Sequence, residues 1–416
     1  MIRKKATFIM LLMGLLMVYG CSSLSYGYGN NSSDYGSLTG ADVKMLTDFD
    51  TESETEAELE TGTESESETE AALIYESSME LQYAENFAVD YYEGGYTLLT
   101  TEMDDTQFLI VPEGKEVPQN LDEEIVVLKR PIKEIYLVAS SVMDIFSGLN
   151  GLDTIAFSGQ KEEGWYIEAA REAMHSGDIL YAGKYNKPDY ELIVSNNCML
   201  AIENMMVLHS PEVVENLENF GIPVMIDCSS YETHPLGRVE WIMFYGALLG
   251  KEVEAERLFK EQTDILARVS ADEKTDKTVA FFFITSNGLV QVRQSSDYVP
   301  KMIELAGGKY IFENLGEPET KRSTMNMQVE DFYAGAKDAD FLIYNSSIDG
   351  GVSDMAELFD KCGLLADFKA VKEGNVWCTT NDMYQQSLSI GCMIEDIHAM
   401  IQGEKDNMHY LYNLDS

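Results

Sequence analysis

The rhythm of apolar and polar positions divides the chain into three stretches. Residues 6–19 form one apolar run, residues 22–83 offer no apolar face, and from about Glu85 short apolar runs recur with turn residues between them. Residues 83–111 (YAENFAVDYYEGGYTLLTTEMDDTQFLIV) read as a β-meander turning at Glu93-Gly94-Gly95. Beyond it, strand-like and helix-like runs alternate to the C-terminus, the pattern of an α/β fold built on parallel sheets.

Three blocks occur twice in the same order, once before and once after residue 270. LNGLDTIA (149–156) pairs with LAGGKYIF (305–312), each a helix end turning at Gly into a strand. PDYELIVSNNCMLAIEN (188–204) pairs with MQVEDFYAGAKDADFLIYN (327–345). In both, a glutamate, Glu191 or Glu330, opens a short helix that delivers a buried strand, 199–202 or 341–344. VVENLENFGIPVMID (213–227) pairs with LLADFKAVKEGNVWCTT (364–380), again helix, Gly turn and strand. The repeat predicts two Rossmann-like lobes. Between them, residues 237–269 keep apolar residues at helical spacing over 33 positions, about 49 Å as one helix. That helix is expected to join the lobes, with Gly246 and Gly250 as its weak points. The expected organisation is a signal segment 1–20, a linker 21–83, an N-terminal lobe with the added meander 84–236, a linking helix 237–271 and a C-terminal lobe 272–416. The cleft between two lobes is the usual place for a ligand.

Arg3, Lys4 and Lys5 precede the apolar run of 14 residues, which is shorter than the roughly 20 that a helix needs to cross a bilayer. The run matches the core of an export signal. It ends in Val18-Tyr19-Gly20-Cys21-Ser22, which resembles a bacterial lipobox, where a small residue permits cleavage and Cys21 takes a diacylglyceryl group. Tyr19 departs from the usual small residue, and an ordinary secretory signal is the alternative. Two or three acyl chains would anchor the exported protein stably on the outer face of the cytoplasmic membrane. Residues 51–70 set Glu at nearly every second position among Ser and Thr, which predicts a disordered, self-repelling tether.

The formal charge, 29 minus 72, is −43, a sign that excludes nucleic acid as a partner. Small cations, cationic complexes or a basic docking partner fit it, and its plainest reading is a solvated acidic surface. Besides Cys21, five cysteines remain, Cys198, Cys228, Cys362, Cys378 and Cys392, without CxxC or zinc-ribbon spacing. They read as buried thiols, with one disulfide left open. The chain has no HExxH, GxSxG or GxxxxGK[ST], and its five histidines are scattered without ligand spacing. Those features argue against an exported enzyme and against a zinc or manganese binder. No metal site and no resident cofactor are expected.

RPIKEIYLVASSVMDIFSGLNGLDTIAFSG, PDYELI, LENFGIPVMID, the 237–269 helix, VPKMIELAGGKY, VEDFYAGAKDADFLIYN and LLADFKAVKEGNVW together span roughly residues 125–402. As an ordered set they resemble the ABC-transporter substrate-binding proteins of the iron-siderophore, haem and cobalamin class, whose lobes are joined by a single backbone helix. The resemblance implies capture of a metal chelate outside the membrane, a ferric siderophore foremost and a corrinoid or haem as alternatives. It further implies delivery to an ABC permease dimer with its ATPase, with no catalytic step. By position in PDYELI and QVEDFY, Glu191 and Glu330 are the residues that would meet arginine pockets on the two permease subunits. Their other reading is as first-turn glutamates favoured by the helix dipole. A surface interaction module without transport is the remaining alternative.

Residues 229–241 (SSYETHPLGRVEW) follow the last N-lobe strand, which makes Tyr231, Glu232, His234 and Arg238 candidates to face the cleft. Arg238 suits an anionic ferric chelate because guanidinium is permanently charged and contacts oxygens in pairs. Its alternative is a structural pair with Glu240. His234 is either a donor to the chelate or a structural residue before Pro235. Trp165 and Tyr166 are candidate aromatic walls, and Arg293, Tyr298, Trp377 and Tyr384 follow C-lobe strands, so all six are candidates for the cleft or its mouth. Core or surface placement is the alternative for each. The many methionines read as soft core fillers.

Overall fold

The computed structural model describes residues 73–316 and 323–414; Cys21 and the acidic tether lie outside them. An added antiparallel sheet comes first, with strands Tyr75–Ser78, Phe87–Tyr92, Tyr96–Thr101 and Thr106–Val111 in sequence order. A fifth strand, Val126–Lys129, pairs parallel to the fourth. The meander turns at residues 93–95 as the sequence predicts, where Gly94 and Gly95 take φ of 85° and 84°. The folded unit nonetheless begins earlier than residue 84. Tyr75–Ser78 pairs with Phe87–Tyr92 in a register that brings Ser78 opposite Asp90, and an exposed edge strand of this kind shows no apolar alternation.

The N-lobe sheet has the order Val224–Asp227, Leu200–Asn204, Ile135–Leu137, Ile155–Ser158 and Leu180–Tyr181, all parallel. Its central strands are apolar on both faces except at Glu203, because helices cover both, as parallel sheets require. In the C-lobe, Thr278–Ile284, Phe341–Tyr344 and Val376–Thr379 run parallel. Antiparallel strands flank them, Val290–Arg293 and Thr324–Met327 on one side and Leu411–Asn413 on the other. The repeated blocks therefore fall on equivalent helix–strand units of two α/β lobes.

The expected single helix over 237–269 is instead a hairpin. Pro235–Leu249 ends at Gly250, whose φ of 72° lies in the left-handed region, and Glu252–Val269 follows. Arg130 stabilises the end of the first helix by donating to the carbonyls of Ala247 and Leu248. The second helix folds back along the first. The Tyr83 ring lies 4.4 Å from His234 at the start of one and 6.3 Å from Phe259 in the middle of the other. A Cβ on Gly246 would come within 2.6 Å of the Ala255 methyl, so that glycine permits the close crossing. Pro235–Leu249 is buried along nearly its whole length within the N-lobe core. The bridge between lobes is therefore Glu252–Val269 alone, 18 residues or about 27 Å. It packs on the C-lobe helix Ile390–Gln402, where Gly391 N donates to Gln262 Oε1 at 2.9 Å and Arg268 meets Glu395 at 3.1 Å.

Two buried carboxylates fix the added sheet to the N-lobe. Glu240 accepts from the backbone N–H groups of Gln82, Tyr83 and Ala84 at 2.7 to 2.8 Å. Glu232 accepts from those of Glu85 and Asn86 at 3.0 and 2.9 Å and from the Trp241 indole at 3.0 Å. Phe87 packs edge-on to Trp241 and Phe244, which carries the apolar core continuously from the sheet into the lobe. All five described cysteines are free thiols.

Candidate functional site

The cleft lies where the carboxyl ends of strands from both lobes face each other. On the N-lobe side, Ile135–Leu137 has successive strands placed on its two opposite sides, and ligands collect outside such switch points. Ser140 and Ser141 open the helix after that strand, Asn204 to Met206 follow the neighbouring strand, and Asp227 to Tyr231 follow the next. Arg238 projects from the first turn of Pro235–Leu249. The C-lobe contributes Tyr298, Met383, Tyr384, Ser387 and Ile390. Together they enclose about 370 Å³, toward the lower end of ligand-pocket sizes.

Arg238 lies flat on Tyr298, its guanidinium carbon 3.6 Å from the ring centre. Its Nε donates to the Glu232 carbonyl at 3.2 Å and one Nη to the Ser230 carbonyl. Three of its five N–H donors are left for a ligand. Burial pulls its pKa below the ordinary value, partly offset by Tyr298 and Asp297, yet an arginine remains charged throughout the physiological range. Across the same contact, Arg293 pairs with Asp297 at 3.6 Å and donates to the Tyr384 hydroxyl, which also accepts from Asn345 Nδ2 at 2.9 Å. The Arg293 guanidinium carbon lies 5.8 Å and 5.2 Å from the ring centres of Phe281 and Tyr384. On the cleft floor Asp227 accepts from Ser229 Oγ at 2.7 Å, Tyr245 Oη at 3.0 Å and Ser141 Oγ at 3.3 Å. Burial raises its pKa and these donors pull it back.

A short C-lobe segment ties the lobes together beside the cavity. Gln385 accepts from Tyr166 N and donates to Gly164 O, both at 2.8 Å, and Ser387 Oγ donates to Ser141 O at 2.6 Å. Leu388 N donates to Asp144 Oδ2 at 2.8 Å, and burial pushes the Asp144 carboxyl up to about 6 despite that bond.

Of the residues singled out from sequence, Tyr231, Arg238, Tyr298 and Tyr384 line the cavity. Arg293 is 8% exposed and reaches the cleft only through Tyr384. Tyr166 is exposed beside the interlobe tie and takes part in it through its backbone N–H. Trp165 and Trp377 lie elsewhere. Trp165 is buried and donates to Ser158 Oγ at 3.2 Å, and Trp377 stands in the C-lobe core, because a large apolar ring gains more from burial than from a polar wall. His234 caps the helix instead, its Nδ1 accepting from Leu236 N at 3.2 Å, and it borders a separate cavity of about 700 Å³ with Lys301 and Asp297. The serines, Asn204, Met205, Met206, Asp227, Met383 and Ile390 were not singled out. The available signal was their position just past strand or helix boundaries. Among the described residues no cluster of three or more His, Cys, Asp or Glu is placed to hold a metal ion.

Glu191 and Glu330 each occupy the first turn of a short helix, Tyr190–Ser195 and Val329–Ala336, and both are exposed. A helix that precedes a parallel strand runs antiparallel to it, so both carboxylates lie toward the strand ends where the cleft opens. Among the described residues neither is engaged by a hydrogen bond or ion pair.

No protein-family model matches the chain. An uncharacterized lipoprotein of Methanocaldococcus jannaschii is 26% identical over 366 residues, covering 81% of this chain and 86% of that protein. A periplasmic heme binding protein from Pseudomonas aeruginosa has a TM-score of 0.52 at 14% identity, covering 68% of this chain and 98% of that one. An ABC-type Fe3+-hydroxamate transport protein from Saccharomonospora viridis has a TM-score of 0.50 at 18% identity, covering 65% and 93%. The chain therefore has the two-lobed fold of the periplasmic substrate-binding proteins of ABC transporters. These structural neighbours are transport-associated binding proteins, not enzymes. Among the described residues no helix is long and apolar enough to cross a membrane.

Proposed function

We propose that this protein is the exported, lipid-anchored solute-binding component of an ABC importer, and that it captures an anionic ferric chelate of the siderophore type between its lobes. The observation that carries the reading is the cleft arginine. Arg238 is spread on Tyr298 with three N–H donors uncommitted, whereas the charge of Arg293 is met by Asp297 at 3.6 Å. In a chain of net charge −43, a guanidinium with free donors in the cleft selects for anionic oxygen ligands. Serine and asparagine side chains around it supply neutral hydrogen bonds to catecholate or hydroxamate oxygens. Cys21 would carry the lipid, and the acidic segment after it would hold the lobes off the membrane. The exposed Glu191 and Glu330 would dock the two permease subunits, whose ATPase drives release. No resident cofactor takes part; the metal chelate is the cargo.

A thermal-shift screen against ferric catecholates, ferric hydroxamates, haem and cobalamin tests this. A ligand at 100 times its dissociation constant stabilises the fold by about 2.7 kcal/mol. A shift with a ferric catecholate or hydroxamate is expected. A shift with haem or cobalamin alone would reassign the cargo, and no shift with any of the four would favour a surface interaction module.

A further inference from the structure

We infer that the added N-terminal sheet sets the position of the cleft arginine, with Glu232 as the positioning residue that links them. This rests on the reading of Arg238 as a ligand-binding group. Five consecutive backbone amides, Gln82 to Asn86, point at two carboxylates that are 2% and 1% exposed, Glu232 and Glu240. With the Trp241 indole, each carboxylate has three donors. A buried charge held only by N–H groups tolerates little displacement, since losing any donor leaves charge unsolvated. Gly237 permits the close approach, because a Cβ there would lie 3.0 Å from the Tyr83 carbonyl oxygen.

Glu232 faces both ways. Its carboxylate is gripped by Glu85 and Asn86, while its own carbonyl accepts from Arg238 Nε, and Ser230, two residues earlier, accepts from the Arg238 guanidinium. The two oxygens that aim Arg238 thus belong to the segment whose side chain the sheet immobilises. Glu240 grips the same loop, but its main chain makes no such contact with Arg238. The match to the archaeal lipoprotein covers 81% of this chain, more than lies after Arg130, so it reaches into the sheet.

The test compares Glu232→Gln with Glu240→Gln in the full chain. The amide nitrogen of Gln cannot accept an N–H, so both variants break part of the grip and both should lower the melting temperature. Only Glu232→Gln should free Arg238. Its Nε–H, followed by NMR of arginine-labelled protein, should exchange with solvent at least tenfold faster than in wild type, and at the wild-type rate in Glu240→Gln. Equal exchange in all three would overturn the inference. Trp241→Phe, which removes one donor to Glu232 and keeps an aromatic ring, serves if Glu232→Gln does not fold and should shift exchange in the same direction. With a ferric tris-catecholate as probe, Glu232→Gln should weaken binding about tenfold in wild type and add nothing in an Arg238→Ala background. Additive losses would show that Glu232 acts by another route. If Arg238→Ala binds the probe like wild type, the ligand reading fails, while the exchange experiment still decides the positioning.

Discussion

The guanidinium carbon of Arg238 sits 3.6 Å from the centre of the Tyr298 ring, an N-lobe cation stacked on a C-lobe aromatic at the middle of the cleft. Arginine suits that place because its planar group stacks while its edge still donates, which a lysine ammonium cannot reproduce.

Replacing Arg238 with Lys should therefore fail to conserve function. Hydrogen bonds from charged donors contribute about 1.5 to 3 kcal/mol each, so loss of the fork should weaken an anionic ferric chelate roughly 10- to 100-fold. Quenching of tryptophan fluorescence on titration with the chelate measures this. Wild-type affinity in the Lys variant would mean that charge alone suffices.

Glu191→Ala with Glu330→Ala should abolish uptake of the chelate in cells and leave its affinity for the isolated protein unchanged. As first-turn residues each contributes only about 0.3 to 1 kcal/mol to its helix, so the melting temperature should barely move. Wild-type uptake by the double variant would assign both glutamates to the helix dipole alone.

The fold was legible where neighbouring residues decide it. The meander, the repeated helix–Gly–strand units and the strand 341–344 follow from local apolar period and turn residues, and they stand where that pattern puts them. Helical spacing, by contrast, continues unbroken across Gly250, and a glycine permits a left-handed residue without requiring one. One long helix and a hairpin therefore share the same pattern. In the cleft, Tyr231, Arg238, Tyr298 and Tyr384 could be found because they follow strands or open helices. Trp165 and Trp377 could not be sorted from them, since an aromatic ring satisfies a core as well as a wall. The grip of Glu232 and Glu240 on residues 82–86 joins positions about 150 apart and leaves no local trace.

Gly250 separates the buried N-lobe helix from the bridging helix, and its φ of 72° is one that side chains with a Cβ resist by about 1 to 2 kcal/mol. A Cβ there would also lie 3.3 Å from the Arg130 guanidinium carbon, which caps the first helix. Gly250→Ala should destabilise the fold by about that amount in urea titrations. Chelate affinity should hold, because Arg238 lies at the opposite end of the helix. A loss of affinity without loss of stability would instead place the turn in control of the cleft.

Glu203 is fully buried on the strand Leu200–Asn204, and neither carboxylate oxygen has a partner among the described residues. Burial pushes its pKa from 4.5 up to about 8. Between those values the folded protein keeps a proton that the unfolded chain releases, so the contribution of Glu203 to stability is most favourable below pH 4.5 and is lost as pH rises toward 8. The slope is about 1.4 kcal/mol per pH unit, or roughly 3 kcal/mol in total by neutrality. Asp144, pushed up to about 6, and Asp227 and Asp396, also raised by burial, add falls of the same sign, so the difference between variant and wild type isolates the part that belongs to Glu203. Leucine fills nearly the same volume without a charge to desolvate. Glu203→Leu should match wild type near pH 4.5 and exceed it by several kcal/mol at pH 8 in urea titrations. A gain of equal size at both pH values would show that packing, and not the proton, limits stability at this position.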